Sequence, residues 1–104
     1  MLKDIVQVLI SATSKAEANK ISDRLVKEKI VAGTLITKGL SRYWWEGKIV
    51  EKEYYNISAF TKKKNKKILI FEVRKLHSDK CPIIAFYVID GTVEFLDWVN
   101  NTVA

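Results

Sequence analysis

The segment HSDKCP places three potential metal ligands, His77, Asp79 and Cys81, within five residues of one another. Imidazole, carboxylate and thiolate together make a mixed donor set that suits zinc or copper. Their odd spacing turns all three to one side only if the segment is extended, because side chains alternate along a strand. A second reading needs no metal. In it His77 closes a helix, where a cation complements the dipole, and Cys81 is a small buried apolar residue. Cys81 is the only cysteine, so no internal disulfide forms, and no CxxC or Cys/His pair has the spacing of a zinc knuckle.

Two other groups of residues can do chemistry. The run KKKNKK contains Lys62, Lys63 and Lys64 followed by Lys66 and Lys67, and these five lysines carry most of the formal charge of +6. The basicity is therefore local, and it argues against a whole face built for nucleic acid. At the start of a helix the run opposes the dipole, yet it can draw an anion toward free N–H groups, with Lys62, Lys63 and Lys64 as the candidate site. The alternative is a solvated, solubilising tract. In SRYWWEGK, Tyr43, Trp44 and Trp45 stand directly before Glu46 and Gly47. No general acid–base set accompanies any of these groups: there is one histidine, no serine nucleophile motif and no carboxylate pair flanked by a base. The expectation is a non-enzyme.

The elements that must position these residues can be read from periodicity. A chain of 104 residues, 48% hydrophobic and 29% charged, is expected to form one folded domain over 1–104. DIVQVLISA reads as a central strand. Ser14 followed by Glu17 is a capping-box pattern, after which Ala18, Ile21, Leu25 and Ile30 fall at helical spacing. Two β-rich segments then meet at Glu46-Gly47, a tight hairpin turn. ILIF alone would suit a strand, but Leu69, Ile70, Val73 and Leu76 form a helical stripe. A strand after Pro82 ends at Gly91, and Thr92 caps a short C-terminal helix. The order is β-α-β-β-α-β plus a helix, the α+β ferredoxin-like plan with a long β2–β3 hairpin.

Hairpin arms of about 12 residues span about 40 Å, against a radius of gyration of about 13 Å for a domain of this size. The hairpin is expected to overhang its own body. Burying each large apolar side chain at its tip is worth roughly 1.5 to 3 kcal/mol, which favours burial between subunits over the alternative that the aromatics cover the chain's own sheet.

The segments SRYWWEGKIVEKEY, ANKISDRLVKEKIVAG and IDGTVEFLDWV, in register over nearly the whole chain, resemble the CutA family of divalent-cation tolerance proteins. The resemblance implies a homotrimer built like the PII signalling proteins, with Tyr43, Trp44, Trp45 and Trp98 as packing and interface residues. It also implies an association with divalent metal tolerance, and copper or another divalent cation as the possible ligand. The family's copper link involves cysteines where this chain has Ser11 and Gly33, and neither supplies a thiolate. Of the family's His-Pro-Tyr-Glu segment only His77 is kept, with Ser78, Asp79 and Lys80 in the other places.

The leading expectation is a trimeric scaffold or signalling protein. The alternative is a small-molecule or anion sensor using inter-subunit clefts near Lys62–Lys67 and His77. An RRM-like RNA-binding module shares the element order, but KEYYNISAF lacks the glycine and basic lead of an RNP1 segment. An acylphosphatase-like enzyme would want an arginine in a phosphate-cradling loop, which ISATSKAEA does not offer. The N-terminus has neither a signal-peptide pattern nor a membrane-spanning run, so a cytoplasmic protein without membrane or nucleic-acid partners is expected.

Overall fold

β1 (Ile5–Ala12) is the strand on which the rest is assembled. Its even-numbered residues Val6, Val8, Ile10 and Ala12 are fully buried, and it is hydrogen-bonded on both edges. The computed structural model describes residues 4–104. In chain order the elements are β1, α1 (Lys15–Lys27), β2 (Gly33–Trp45), β3 (Lys48–Lys62), α2 (Lys66–Leu76), β4 (Ile84–Val88) and α3 (Val93–Thr102). The sheet is antiparallel throughout with spatial order β2-β3-β1-β4, which is the expected α+β ferredoxin-like architecture.

α1 and α2 cover one face, and the core beneath them joins β1 and Ile57 and Ala59 of β3 to Ala18, Ile21, Leu25, Leu69 and Val73. The helical reading of ILIF therefore holds, with Leu69 and Val73 fully buried. α3 covers only one end of the opposite face, where Leu96, Val99 and Val103 pack on Ile5 and Ala32. The middle of that face stays open, leaving Leu35 at 63% exposure and Tyr87 half-exposed.

Local chemistry sets the element ends. Ser14 Oγ accepts the Glu17 N–H at 3.1 Å, and Thr92 Oγ1 accepts the Phe95 N–H at 3.3 Å, so both expected N-caps are present. α1 stops before Ile30, which lies in the turn beyond it. Ile30 N–H bonds Leu25 O at 3.0 Å and Lys29 N–H bonds Val26 O at 3.0 Å, a Schellman closure with Lys29 at φ 56° in the place glycine usually takes. Glu46 (φ 49°) and Gly47 (φ 77°) make the two-residue turn between Trp45 and Lys48, both in the positive-φ region that a type I′ hairpin requires.

Three boundaries differ from the sequence expectation, one of them the end of β4, which stops at Val88 and not at Gly91. The lysine run does not begin α2: Lys62 ends β3, Lys63–Asn65 form a 3-10 turn, and only Lys66 and Lys67 are helical. β4 starts at Ile84, because the Ile83 N–H bonds the Ser11 side-chain Oγ at 3.0 Å.

Pairing of β1 with β3 runs only from Tyr55 to Lys62, whereas β2 and β3 stay paired back to Trp45 and Lys48. The hairpin therefore projects beyond the four-stranded body. It gives the molecule extents of 43 × 24 × 22 Å and a radius of gyration of 14.1 Å.

Candidate functional site

The chemistry-bearing residues gather where β1 ends and α2 hands the chain to β4. Glu17, in the first turn of α1, accepts hydrogen bonds from Thr13 N–H (2.8 Å), Thr13 Oγ1 (3.0 Å) and Ser78 N–H (2.9 Å). Burial works to raise its pKa, but the hydrogen bonds from Thr13 and Ser78 together outweigh it and hold the carboxyl below its usual value. One carboxylate thus ties the start of α1 to the loop after α2.

His77 is the C-cap of α2, and its side chain is wholly buried. Asp79 N–H can only donate, so His77 Nδ1 accepts from it at 3.0 Å. Ser11 O can only accept, so His77 Nε2 carries the proton and donates to it. The ring is therefore in its Nε2–H form, with Glu17 Oε2 3.6 Å from Nε2. With these two bonds made, neither ring nitrogen has a lone pair left for a metal, and His77 closes α2 as the second sequence reading expected.

The overhanging hairpin closes over this corner. Tyr43 and Tyr54 meet edge-to-face with centroids 6.2 Å apart and hydroxyls at 3.0 Å, and the Tyr54 hydroxyl donates to Asp79 Oδ2 at 3.3 Å. Burial, with the Tyr43 hydrogen bond and the Asp79 charge added, pushes the Tyr54 phenol well above its ordinary value. Two adjoining cavities of about 490 and 410 Å³ lie between the hairpin and the 78–83 loop, and Tyr43, Trp45, Tyr54, Asp79 and Cys81 line both. Ser41 Oγ borders the smaller one, and among the described residues it is the buried side-chain polar atom without a partner.

The expected sites can now be placed. His77, Asp79 and Cys81 do not form a metal centre: among the described residues no three His, Cys, Asp or Glu side chains converge on one. His77 points inward, Asp79 serves Tyr54, and Cys81 is exposed at the cleft rim and not buried as the second reading had it. The donor set does not fit a resident metal. Ser11, at one position where the family has cysteine, holds β4 through its hydroxyl. Gly33, at the other, lies under Trp98, where an added Cβ would come within 2.9 Å of the Trp98 ring. Cysteine there would have to displace the indole.

The aromatics divide. Strand alternation turns Tyr43 and Trp45 toward the cleft and Trp44 to the other face. Tyr43 is half-buried within its own chain, whereas Trp44 is 72% exposed and Trp45 and Trp98 are more than two-fifths exposed. Lys62, Lys63 and Lys64 border a shallow groove of about 480 Å³ with Asn100 and the acidic Asp4, whose carboxylate opposes an anion. Asn65 does not cap α2; its amide bonds Ile30 O, Thr61 Oγ1 and Ala104 O. Within one chain the lysine run and His77 share no cleft, since they sit at opposite ends of α2, about 16 Å apart along the axis.

Tyr54, Glu17 and Ser41 were not read from the sequence as parts of the site. The Ser14–Glu17 capping pair was visible, but not the reach of the Glu17 carboxylate to Ser78, 61 residues away.

Comparison with known proteins matches residues 6–102 to the CutA1 divalent ion tolerance protein family. The divalent-cation tolerance protein CutA of Archaeoglobus fulgidus is 35% identical over 97 residues, covering 92% of this chain and 95% of that one. The Thermus thermophilus protein of the same name is 34% identical over 96 residues, covering 90% and 93%. The solved structure of the periplasmic divalent cation tolerance protein CutA from A. fulgidus superposes with a TM-score of 0.92 at 34% identity, covering 96% of this chain and 99% of that chain.

Proposed function

The chain belongs to the CutA1 divalent ion tolerance family, and on that premise we propose that it acts as a homotrimeric, non-catalytic scaffold or signalling protein of the divalent-cation response. The observation that carries the reading is the overhanging hairpin. Its tip holds Trp44, Trp45 and Ile49 exposed, and each would gain roughly 1.5 to 3 kcal/mol from full burial. β2 also presents a 13-residue edge strand with no neighbour beyond it among the described residues, a surface that invites pairing with another strand. A second copy of the same chain satisfies both needs.

The cation in the family's description is not assigned to His77, Asp79 and Cys81, whose donors are otherwise engaged or dispersed. The non-catalytic reading is supported at the same corner by the engagement of His77, which accepts from the Asp79 N–H and donates to Ser11 O, and of Asp79 Oδ2, which accepts from the Tyr54 hydroxyl. A second reading, a small-molecule sensor, is favoured by the hairpin cleft itself, where Tyr43, Trp45 and Ser41 surround open volume.

Sedimentation velocity of the wild type and of the Trp44→Ser/Trp45→Ser double variant tests the assembly. The wild type should sediment as a trimer, and the double variant should shift toward monomer at the same concentration. A double variant as trimeric as the wild type would remove the hairpin from the account. A thermal-shift panel of nucleotides and common anions tests the sensor reading, which a flat response would reject.

A further inference from the structure

The lysine run has no place in the function proposed above, but the structure gives it neighbours that the sequence pattern did not show. Ile68 and Phe71 on α2 are 45% and 58% exposed, although the same helix buries Leu69 and Val73 completely. Within α2, positions 68, 71 and 75 recur at helical spacing, so Ile68, Phe71 and Lys75 form one outward stripe with Lys67 beside it, and Lys63 and Lys64 lie in the 3-10 turn that leads into the helix. The Lys75 ammonium lies 4.9 Å from the centroid of the Phe71 ring. Lys67 on the same helix and Lys63 and Lys64 in the turn before it are exposed; the acid of segment 62–75, Glu72, is buried and paired with Arg24 and Lys75 at 2.9 Å each, and Asp4 lies beside Lys62, Lys63 and Lys64.

We propose that this face of α2 docks on an anionic lipid bilayer, with Phe71 and Ile68 entering the headgroup boundary and the lysines facing the lipid charges. Charge complementarity and shape choose that occupant. The surface is a convex helix with two apolar knobs one turn apart, flanked by ammonium groups on flexible stems, and the shallow groove at Lys62, Lys63 and Lys64 includes neither Ile68 nor Phe71. Protein interfaces favour arginine and are depleted in lysine, whereas lysine clusters beside exposed aromatics suit the diffuse negative charge of a membrane surface. A nucleic-acid backbone would use the lysines but give Phe71 and Ile68 nothing to enter. The contact is peripheral: among the described residues no helix is long and apolar enough to cross a membrane. It replaces the expectation that the chain has no membrane partner.

Vesicle flotation of the full chain tests it, using phosphatidylcholine vesicles with and without phosphatidylserine, at low and high salt. Wild type should float only with phosphatidylserine vesicles and be released by salt. Reversing three lysines in Lys63→Glu/Lys64→Glu/Lys67→Glu should weaken partitioning by more than about a hundred-fold, and Phe71→Ser by about ten-fold, with far-UV circular dichroism unchanged. Failure of the wild type to float with anionic vesicles at low salt overturns the proposal, as does equal flotation with neutral ones. Unchanged flotation of Phe71→Ser removes the apolar insertion and overturns it too. Retention on polyglutamate or poly-U without flotation assigns the face to an acidic protein or to RNA instead. The comparison of vesicle types and salt needs no variant, so a variant that misfolds leaves the test intact.

Discussion

On the helix-covered face of β3, Ile57 and Ala59 are fully buried beneath α1 and α2. Further out along the same face of the same hairpin, Leu40, Trp44 and Ile49 are 86%, 72% and 58% exposed. The strands and their alternation are continuous between the two regions; what changes is whether anything lies on top. The body is completed by its own helices. The outer hairpin is held by backbone pairing and by the exposed cross-strand ion pairs Arg42–Glu51 (2.9 Å) and Lys38–Glu53 (3.5 Å), and exposed pairs contribute less than about 1 kcal/mol each. Among the described residues nothing covers its apolar side chains.

The comparison can be broken most sharply at Ile57. Truncation to Ala should cost about 2 to 5 kcal/mol by the loss of buried contacts and the cavity left behind. Leu40→Ala, on the same face, should change monomer stability by less than about 0.5 kcal/mol. Denaturant unfolding of both variants checks this, and similar losses would mean the hairpin is as well packed as the body.

Glu17 belongs to the corner where the two regions meet. Glu17→Ala leaves the Thr13 and Ser78 N–H groups without their acceptor and should cost about 1 to 3 kcal/mol. Because the folded carboxyl titrates below its unfolded value of about 4.3, its stabilisation is fully present above that value and is lost as pH falls through the lower folded one. Unfolding measured from neutral to acid pH should therefore weaken more steeply for the wild type than for Glu17→Gln.

Tyr54 joins hairpin to body through Asp79, and Tyr54→Phe should cost about 1 kcal/mol. Its raised pKa favours the protonated phenol in the folded chain, so its contribution is complete below the unfolded value of about 10 and declines as pH rises above it. Ultraviolet titration of tyrosinate should show one late phenol that disappears in Tyr54→Phe. An effect of opposite sign is expected at Lys29, where Lys29→Gly should stabilise by about 0.5 to 1 kcal/mol by relieving a left-handed backbone, net of glycine's greater unfolded entropy.

How legible each part was in the sequence follows from the range of its interactions. The capped starts of α1 and α3, the Glu46-Gly47 turn and the β-α-β-β-α-β order rest on residues close in sequence, and all were readable. The split of the lysine run was not, because Asn65 leaves its capping role for Ile30 O, 35 residues away. Tyr54 and Tyr55 are equivalent in the sequence, and only the strand register decides which turns to the cleft. His77 was singled out for its chemistry, but its partner Ser11 lies 66 residues earlier, and that pairing occupies the nitrogen a metal would need. Cys81 was expected buried from its residue type, yet it sits in a surface loop.

The most direct test of the central claim is native mass spectrometry of the untagged protein, purified without chelators. The account predicts a trimer at the bare polypeptide mass, with hairpins buried between copies and no metal held at His77, Asp79 and Cys81. A monomer would contradict the reading of the overhanging hairpin, and a trimer carrying one tightly held metal ion per chain would contradict the assignment of the His77 nitrogens.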